Sequence, residues 1–317
     1  MRETPYSFTC VLCGSANDGD IVQEKINGDA IGEMVAISCP DCRHVQLFPP
    51  QYDMAYYDND DQINNVVKQY GTLPETLFHH SFIEARRRKD RFAAVGIDIH
   101  ADGLNILDIG GGYGFFGGEL ATSLPRSSVT LLEPSAKRVA MGAERMRAEG
   151  IVPPQSQVGL LDERFAAEHE AAFDIVTLWH VLEHVPDPVG LLRLAMKIVK
   201  PSGVLCIEVP NLDDDTISLS DGFRNRWFMQ EHISYFSPET LKSTALRAMP
   251  EARLEAHGYQ RYGIFNQMNW IHFDKPLGAD PDLFEGTDRY WLETHWRSEK
   301  ERTLTSDALF MVMRHPA

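Results

Sequence analysis

Basic residues are scarce in this 317-residue chain, with 30 lysines and arginines against 46 aspartates and glutamates and a formal charge of −16. Such a balance offers no broad cationic surface to a phosphate backbone, so nucleic acid is not an expected partner. The densest basic run, Arg86 to Arg91, is interleaved with apolar residues at helical spacing and reads as a solvated helix face. Long apolar runs are also missing. Nothing approaches the ~18 to 20 uninterrupted apolar residues of a membrane helix, and "MRETPYSFTC" has no apolar signal core. The expectation is a cytoplasmic protein without a membrane partner. Internal repeats and low-complexity stretches are absent, and 43% hydrophobic with 24% charged residues is an ordinary globular mixture.

Cysteine is sparse too, five in all, yet four fall within the first 42 residues as Cys10-Val-Leu-Cys13 and Cys39-Pro-Asp-Cys42. A C-x-x-C knuckle presents two sulfurs from one tight turn, and two knuckles supply the four thiolates of a tetrahedral zinc site. A redox pair would call for a strand-turn-helix setting, and a disulfide for an oxidising compartment. With four protein ligands no position is left for water, so the expected zinc is structural. His44, two residues beyond the last of these cysteines, could replace a ligand but reads as a surface residue. Cys206, inside "GVLCIEVP", reads as a buried small hydrophobe.

Between the knuckles, "IVQEKINGDAIGEMVAIS" alternates as short strands with Asn27-Gly28 as a hairpin turn, the pattern of a zinc ribbon. A Pro- and Tyr-bearing connector, "LFPPQYDMAYYDNDDQ", follows, and Ser81 to Val95 forms an amphipathic helix. Ribbon and linker occupy residues 1–60, and residues 61–317 form the main domain. From Asn105 strands and helices alternate. The strands are "NILDIG", "SVTLLEP", "QVGLL" at Gln157 to Leu161, "FDIVTLW", and "GVLCIEVP" at Gly203 to Pro210. Helices fall at Ser135 to Glu149 and at Pro188 to Lys200, the latter closed by Pro201-Ser202-Gly203. This rhythm predicts an α/β fold, a doubly wound and mostly parallel Rossmann-like sheet with ligands at the carboxyl ends of its strands.

The stretch "LNILDIGGGYGFFGGEL" places Asp108 at a strand end before Gly110, Gly112 and Gly114. A carboxylate there repels a pyrophosphate in a partly desolvated pocket, which disfavours a nicotinamide-dependent oxidoreductase, but it suits an ammonium group. No Gly-Lys-Ser/Thr follows, so this is not a P-loop. The next strand ends in Glu133, placed to accept hydrogen bonds from a ribose diol. One acid for an ammonium and one for a ribose describe S-adenosylmethionine. The helix after Tyr113 turns its amino end toward the cofactor carboxylate, and the three glycines let the backbone approach it closely. Asp162, after the third strand, is either an adenine contact or an ordinary N-cap.

These motifs resemble the class I S-adenosylmethionine-dependent methyltransferases over residues 81–260. "LDIGGGYG" is similar to their first motif and "LLEP" to their second. "FDIVTLWHVLEHVPDP" is similar to their fourth strand with its loop, and "MKIVKPSGVLCIEVPN" to the helix and fifth strand that follow. The segment ending "CPDCRHVQLFPP" resembles the zinc-binding module fused to a subset of the family that includes sugar C-methyltransferases. The resemblance implies a seven-stranded sheet ending in an antiparallel hairpin, "ARLEAHGYQ" and "DALFMVMRH". It also implies that His180 borders the cofactor and that His184, four residues on and on the same face of a helical turn, is catalytic. Glu231 and His232 resemble the subset's Glu-His pair, in which the histidine abstracts a proton and the carboxylate raises its pKa toward neutrality. Met229 stands where those sugar enzymes carry a tyrosine, a departure that counts against a ketosugar carbon acceptor and leaves an O- or N-methyl acceptor open.

Tyr70 and Tyr235 are weaker active-site candidates, each more readily a packing aromatic. A helix capped at Ser237, with Glu239 nearby, follows. An aromatic-rich insertion, about 261–306, is either a substrate lid or a dimer contact. The expected activity is therefore methyl transfer to a small polar acceptor, for example a nucleotide-linked sugar or a glycan or natural-product intermediate, by a monomer or homodimer. The alternative is a non-catalytic cofactor-binding protein whose zinc ribbon docks a partner.

Overall fold

The short apolar runs that flank the cysteines pair as expected for a ribbon. In the computed structural model, which describes residues 6–28, 34–50, 74–101, 103–277, 287 and 290–316, they form β1 (Tyr6–Thr9), β2 (Ala16–Gln23), β3 (Val35–Ser38) and β4 (Val45–Phe48). Every pairing is antiparallel. Asn27-Gly28 is not a two-residue hairpin turn: Asn27 lies beyond the end of β2 and forms a bridge with Met229. Ile37, Leu47 and Cys39 are wholly buried between these strands and their neighbours. The connector beyond Pro50, with Tyr70, lies outside the described residues.

Helix α1 (Pro74–Ala94) begins earlier than the expected Ser81. It buries Ala85 and Phe92 and leaves Arg86 to solvent, but the rest of the basic run is only partly exposed: Lys89 pairs with Glu119 and Arg88 lies over the Trp179 ring, so the run is not the solvated face expected. The strand and helix rhythm then follows: β5 (Asn105–Ile109), α2 (Phe115–Ser123), β6 (Ser128–Glu133), α3 (Ala136–Ala148), β7 (Gln155–Val158), α4 (Glu163–Glu168) and β8 (Phe173–Trp179). A 3-10 turn at Leu182–His184 leads to α5 (Pro188–Ile198) and β9 (Val199–Pro210). Two expectations shift. The third strand of the series is Gln155–Val158 rather than Gln157–Leu161, and Pro201-Ser202-Gly203 lies inside β9 instead of closing a helix. At Gly203 a Cβ would meet the Asp174 carbonyl at 2.7 Å, so close backbone approach explains the glycine better than a helix stop.

After β9 come α6 (Thr216–Leu219), α7 (Asp221–Trp227), β10 (Ser234–Tyr235), α8 (Pro238–Ala248), β11 (Arg253–Tyr259), α9 (Ile264–Phe273), α10 (Tyr290–Arg302) and β12 (Ala308–Arg314). Ser237 caps α8 as expected, although its capping-box partner is Thr240 and not Glu239. The insertion contributes α9 and α10. Trp270 in α9 is buried and Trp291 in α10 is exposed, while Phe284 lies outside the described residues.

Two sheets result, one in the order β1-β2-β3-β4-β10 and one in the order β11-β12-β9-β8-β5-β6-β7. In the second, β5 is flanked in parallel by β6 and β8, and β7 joins β6 in parallel. The last strand of the chain is inserted beside β9, ahead of β11. This is a Rossmann-like α/β fold with a mostly parallel seven-stranded sheet. Contacts divide the chain into two compact units. One holds Met1–Tyr52, His180–Leu192 and Ile207–Val312, and the other holds Asp53–Trp179, Arg193–Cys206 and Met313–Ala317. The first unit groups the cysteine-bearing strands with the chain beyond β9, an association that sequence contiguity does not reveal.

Candidate functional site

The glycine loop belongs to the second unit. Asp108 is paired in register with Thr177 on β8, whose hydroxyl donates to its carboxylate at 2.8 Å. The other carboxylate oxygen is buried without a hydrogen-bond partner, and a Cβ on Gly111 would come within 2.2 Å of it. Asp108 is therefore fully buried, with this oxygen packed against Gly111 of the loop. Burial pushes its pKa up to about 7, against the opposing Thr177 hydrogen bond and Arg88 charge.

Glu133 holds the loop from the neighbouring strand. One of its oxygens accepts from the Gly112 amide at 2.9 Å and the other from the Ser135 amide at 3.1 Å. Gly110, Gly112 and Gly114 have φ values of 65, 59 and 75°, so left-handed backbone is the first reason for glycine there. At Gly112 a Cβ would enter open space, which leaves room for a ligand, whereas at Gly114 it would meet Leu131 at 2.8 Å. The amino end of α2 has neither a side-chain cap nor an acid in its first turn. Its first amide hydrogens thus have no side-chain acceptor at the cap, an arrangement that suits an anion such as the cofactor's carboxylate. Tyr113 stacks on Phe115 and meets Phe78 of α1 edge-on, which closes the loop's outer side with aromatic rings. Asp162 is the N-cap of α4 and accepts from the Phe165 amide at 2.7 Å, the ordinary reading of that residue.

The histidines belong to the first unit. His180 follows β8 with φ 54°, so it does not share a helix face with His184. Its two ring nitrogens lie 3.0 Å from Glu183 and 2.9 Å from Glu208. The Arg261 guanidinium, held by Asp307, lies 2.6 Å from the same nitrogen that faces Glu208. Burial and the Arg261 charge oppose protonation of His180, but the hydrogen bonds to Glu183 and Glu208 outweigh them and raise its pKa. Both ring nitrogens of His180 thus have carboxylate neighbours.

His184 donates from Nδ1 to the Glu231 carbonyl at 2.8 Å, and its Nε2 lies 3.8 Å from Glu183. The His232 ring packs edge-on to it, with centroids 4.9 Å apart. The acid that faces both imidazoles is Glu183, whereas Glu231 reaches His184 through its backbone. Glu183 is fully buried, yet its hydrogen bond to His180 and the charge of that imidazole hold its pKa down to about 2. His232 departs from the expected upward shift: burial, reinforced by His184, lowers its pKa to about 3, so it is neutral. Tyr235 is a packing aromatic in β10, buried between Trp227 and Phe228 with its hydroxyl donating to the Met229 carbonyl.

Glu183, Glu208 and Arg261 were not singled out from sequence. Glu208 had one visible signal, an acid in the middle of a strand otherwise apolar enough to be core. Glu183 was hidden by the helical periodicity assumed for "WHVLEHV", which sets it off the face of the two histidines.

The four cysteines converge. Their sulfurs lie within 4.8 Å of one another, with Cys10 to Cys42 at 3.6 Å and Cys13 to Cys39 at 3.7 Å. Such spacing fits four thiolates about one tetrahedral cation. Burial raises the Cys10 thiol to about 11, a charge cost that a bound cation would offset. His44 is neither at the surface nor a member of this cluster: it is wholly buried, 3.2 Å from the Ser234 hydroxyl. Cys206 is buried in β9, as expected.

Residues 77–248, more than half of the chain, match the family described as "Methyltransferase domain", and the chain belongs to that family. The chain is similar to the ubiquinone biosynthesis O-methyltransferase of Sodalis glossinidius, 37% identical over 103 residues, which are 32% of this chain and 39% of that protein. The protein of the same name from Acinetobacter baylyi is 34% identical over 116 residues, 34% of this chain and 45% of its own length. The chain thus spans less than half the length of these relatives. A SAM-dependent methyltransferase from Archaeoglobus fulgidus overlays 77% of this chain and 100% of its own, at 17% identity and a TM-score of 0.49. No helix among the described residues is long and apolar enough to cross a membrane.

Proposed function

We propose that the protein transfers a methyl group from S-adenosylmethionine to a hydroxyl of a small polar metabolite. The observation that carries this reading is the left-handed glycine loop, tied to Glu133 and opening on an uncapped helix terminus, within a methyltransferase-family domain. The amides at the start of α2 would bind the cofactor's carboxylate, Gly112 would allow its approach, and Glu133 would meet the ribose. Asp108 would act from beneath the loop, by its field and by supporting the turn. When bound, the cofactor supplies an electrophilic methyl group. The chain's own part is to orient the acceptor and take up its proton.

His184 is the group best formed for that proton. Its Nδ1 is committed to the Glu231 carbonyl, which leaves Nε2 as the acceptor, and Glu183 stands ready to stabilise the imidazolium. His232 and the Glu231 backbone hold it in place. Transfer to oxygen is favoured over carbon by the name O-methyltransferase carried by the relatives and by Met229 in place of the sugar enzymes' tyrosine. The four cysteines are proposed to hold a structural zinc that ties β1 to β3.

Calorimetry with S-adenosylhomocysteine tests the central claim: binding is expected, and tight NADH binding with none of the homocysteine product would overturn it. His184→Ala should keep cofactor binding and lower turnover by about 100-fold or more. Unchanged turnover would remove His184 as the base. Metal analysis should return about one zinc per chain.

A further inference from the structure

The cluster around Glu183 holds more unspent binding capacity than a proton acceptor needs. One donor atom each from Glu183, His184 and His232 lies within 4.8 Å of the others. These three residues do not satisfy one another: the Glu183 to His184 separation of 3.8 Å is too long for a hydrogen bond. Glu183 Oε2 and His232 Nδ1 are buried with no hydrogen-bond partner. Buried polar atoms rarely stay unsatisfied, and a bound ion or an ordered water is what commonly completes them.

The outer contacts have the form that orients metal ligands. His184 donates its Nδ1 hydrogen to a backbone carbonyl, which turns the Nε2 lone pair inward. His180 anchors Glu183 through Oε1 at 3.0 Å and leaves Oε2 available. We propose that Glu183, His184 and His232 form a binding site for a divalent first-row transition cation, held by one carboxylate and two imidazoles. Three protein ligands leave coordination positions open to oxygen ligands.

The binding does not depend on methyl transfer, but its use rests on the function proposed above. With the cation in place the imidazoles serve as ligands, and an acceptor hydroxyl bound to it loses its proton to water; without it, His184 takes the proton. Manganese is the suitable probe, since a hard cation avoids the four thiolates and reports on the nitrogen and oxygen site.

Mn2+ is titrated into the full-length protein with its cysteine-bound metal retained, and binding is read by electron paramagnetic resonance. One equivalent should bind and show pulsed-resonance coupling to imidazole nitrogen. Glu183→Gln and His232→Ala should each weaken it by ~10- to 100-fold. Manganese bound without nitrogen coupling, or bound equally well by both variants, would overturn the proposal and assign the ion to the acidic surface. The wild-type nitrogen signal is independent of whether either variant folds. S-adenosylhomocysteine binding measured on the same sample reports separately on the methyltransferase reading, so either can fail alone.

Discussion

Asp108 and Glu183 are both carboxylates sealed from solvent, one in each compact unit, and their pKa values are displaced in opposite directions. Asp108 has one hydroxyl donor and one unpartnered oxygen, and its pKa rises to about 7. Glu183 has the His180 imidazole at 3.0 Å and further imidazoles nearby, and its pKa falls to about 2. Burial penalises the charge in both cases, and the neighbouring donors and cations decide whether it survives. The glycine-loop unit thus carries an acid poised to titrate near neutrality, while the histidine unit carries a permanent anion inside a network.

Four perturbations bear on this contrast. Glu183→Ala should be the most costly, about 3–5 kcal/mol in thermal or denaturant melts, because it strips a buried partner from His180. A cost near zero would mean that the network does not hold Glu183 ionised.

Asp108→Asn should act in the other direction and with a pH signature. In the unfolded chain this carboxyl titrates near ~3.9. Between about pH 4 and pH 7 the unfolded chain gives up a proton that the folded protein keeps, so stability falls as pH rises and the loss is complete above pH 7. At ~1.4 kcal/mol per unit the effect is a few kcal/mol. Cofactor-free Asp108→Asn should match the parent near pH 4 and exceed it at pH 8. A parallel pH profile for the two proteins would show that Asp108 is ionised in the fold.

Gly112→Ala should cost about 1–2 kcal/mol through its left-handed backbone. It should also weaken S-adenosylhomocysteine more than that strain explains, because the new methyl fills the open side of the loop. Unchanged affinity would place the ligand elsewhere. The smallest effect should come from Asp162→Ala, about 1 kcal/mol from the lost cap on α4, with cofactor affinity untouched.

The glycine loop was legible because its constraints are local. Alternating glycines need positive φ, and an acid two residues before them lies at the end of a strand whose apolar run announces it. The reason for those glycines was only half visible, since Gly111 answers to Asp108 beneath it. The histidine cluster was legible in part. His184 and His232 were singled out and do meet, yet their acid was sought one residue away from His232, at Glu231, and found 49 residues earlier at Glu183. Nothing in local pattern marks Arg261, which meets the cluster at His180 and is held by Asp307, 46 residues further on.

Residue type and spacing along the chain were sufficient for the α/β rhythm, the paired cysteine knuckles and the turn chemistry of "LDIGGGYG", because each depends on backbone geometry or on neighbours a few positions apart. The charge states of Asp108, His180, Glu183 and His232 depend instead on desolvation and on partners brought together from distant segments. Those energies do not exist in the extended chain, and only the packed structure could set them.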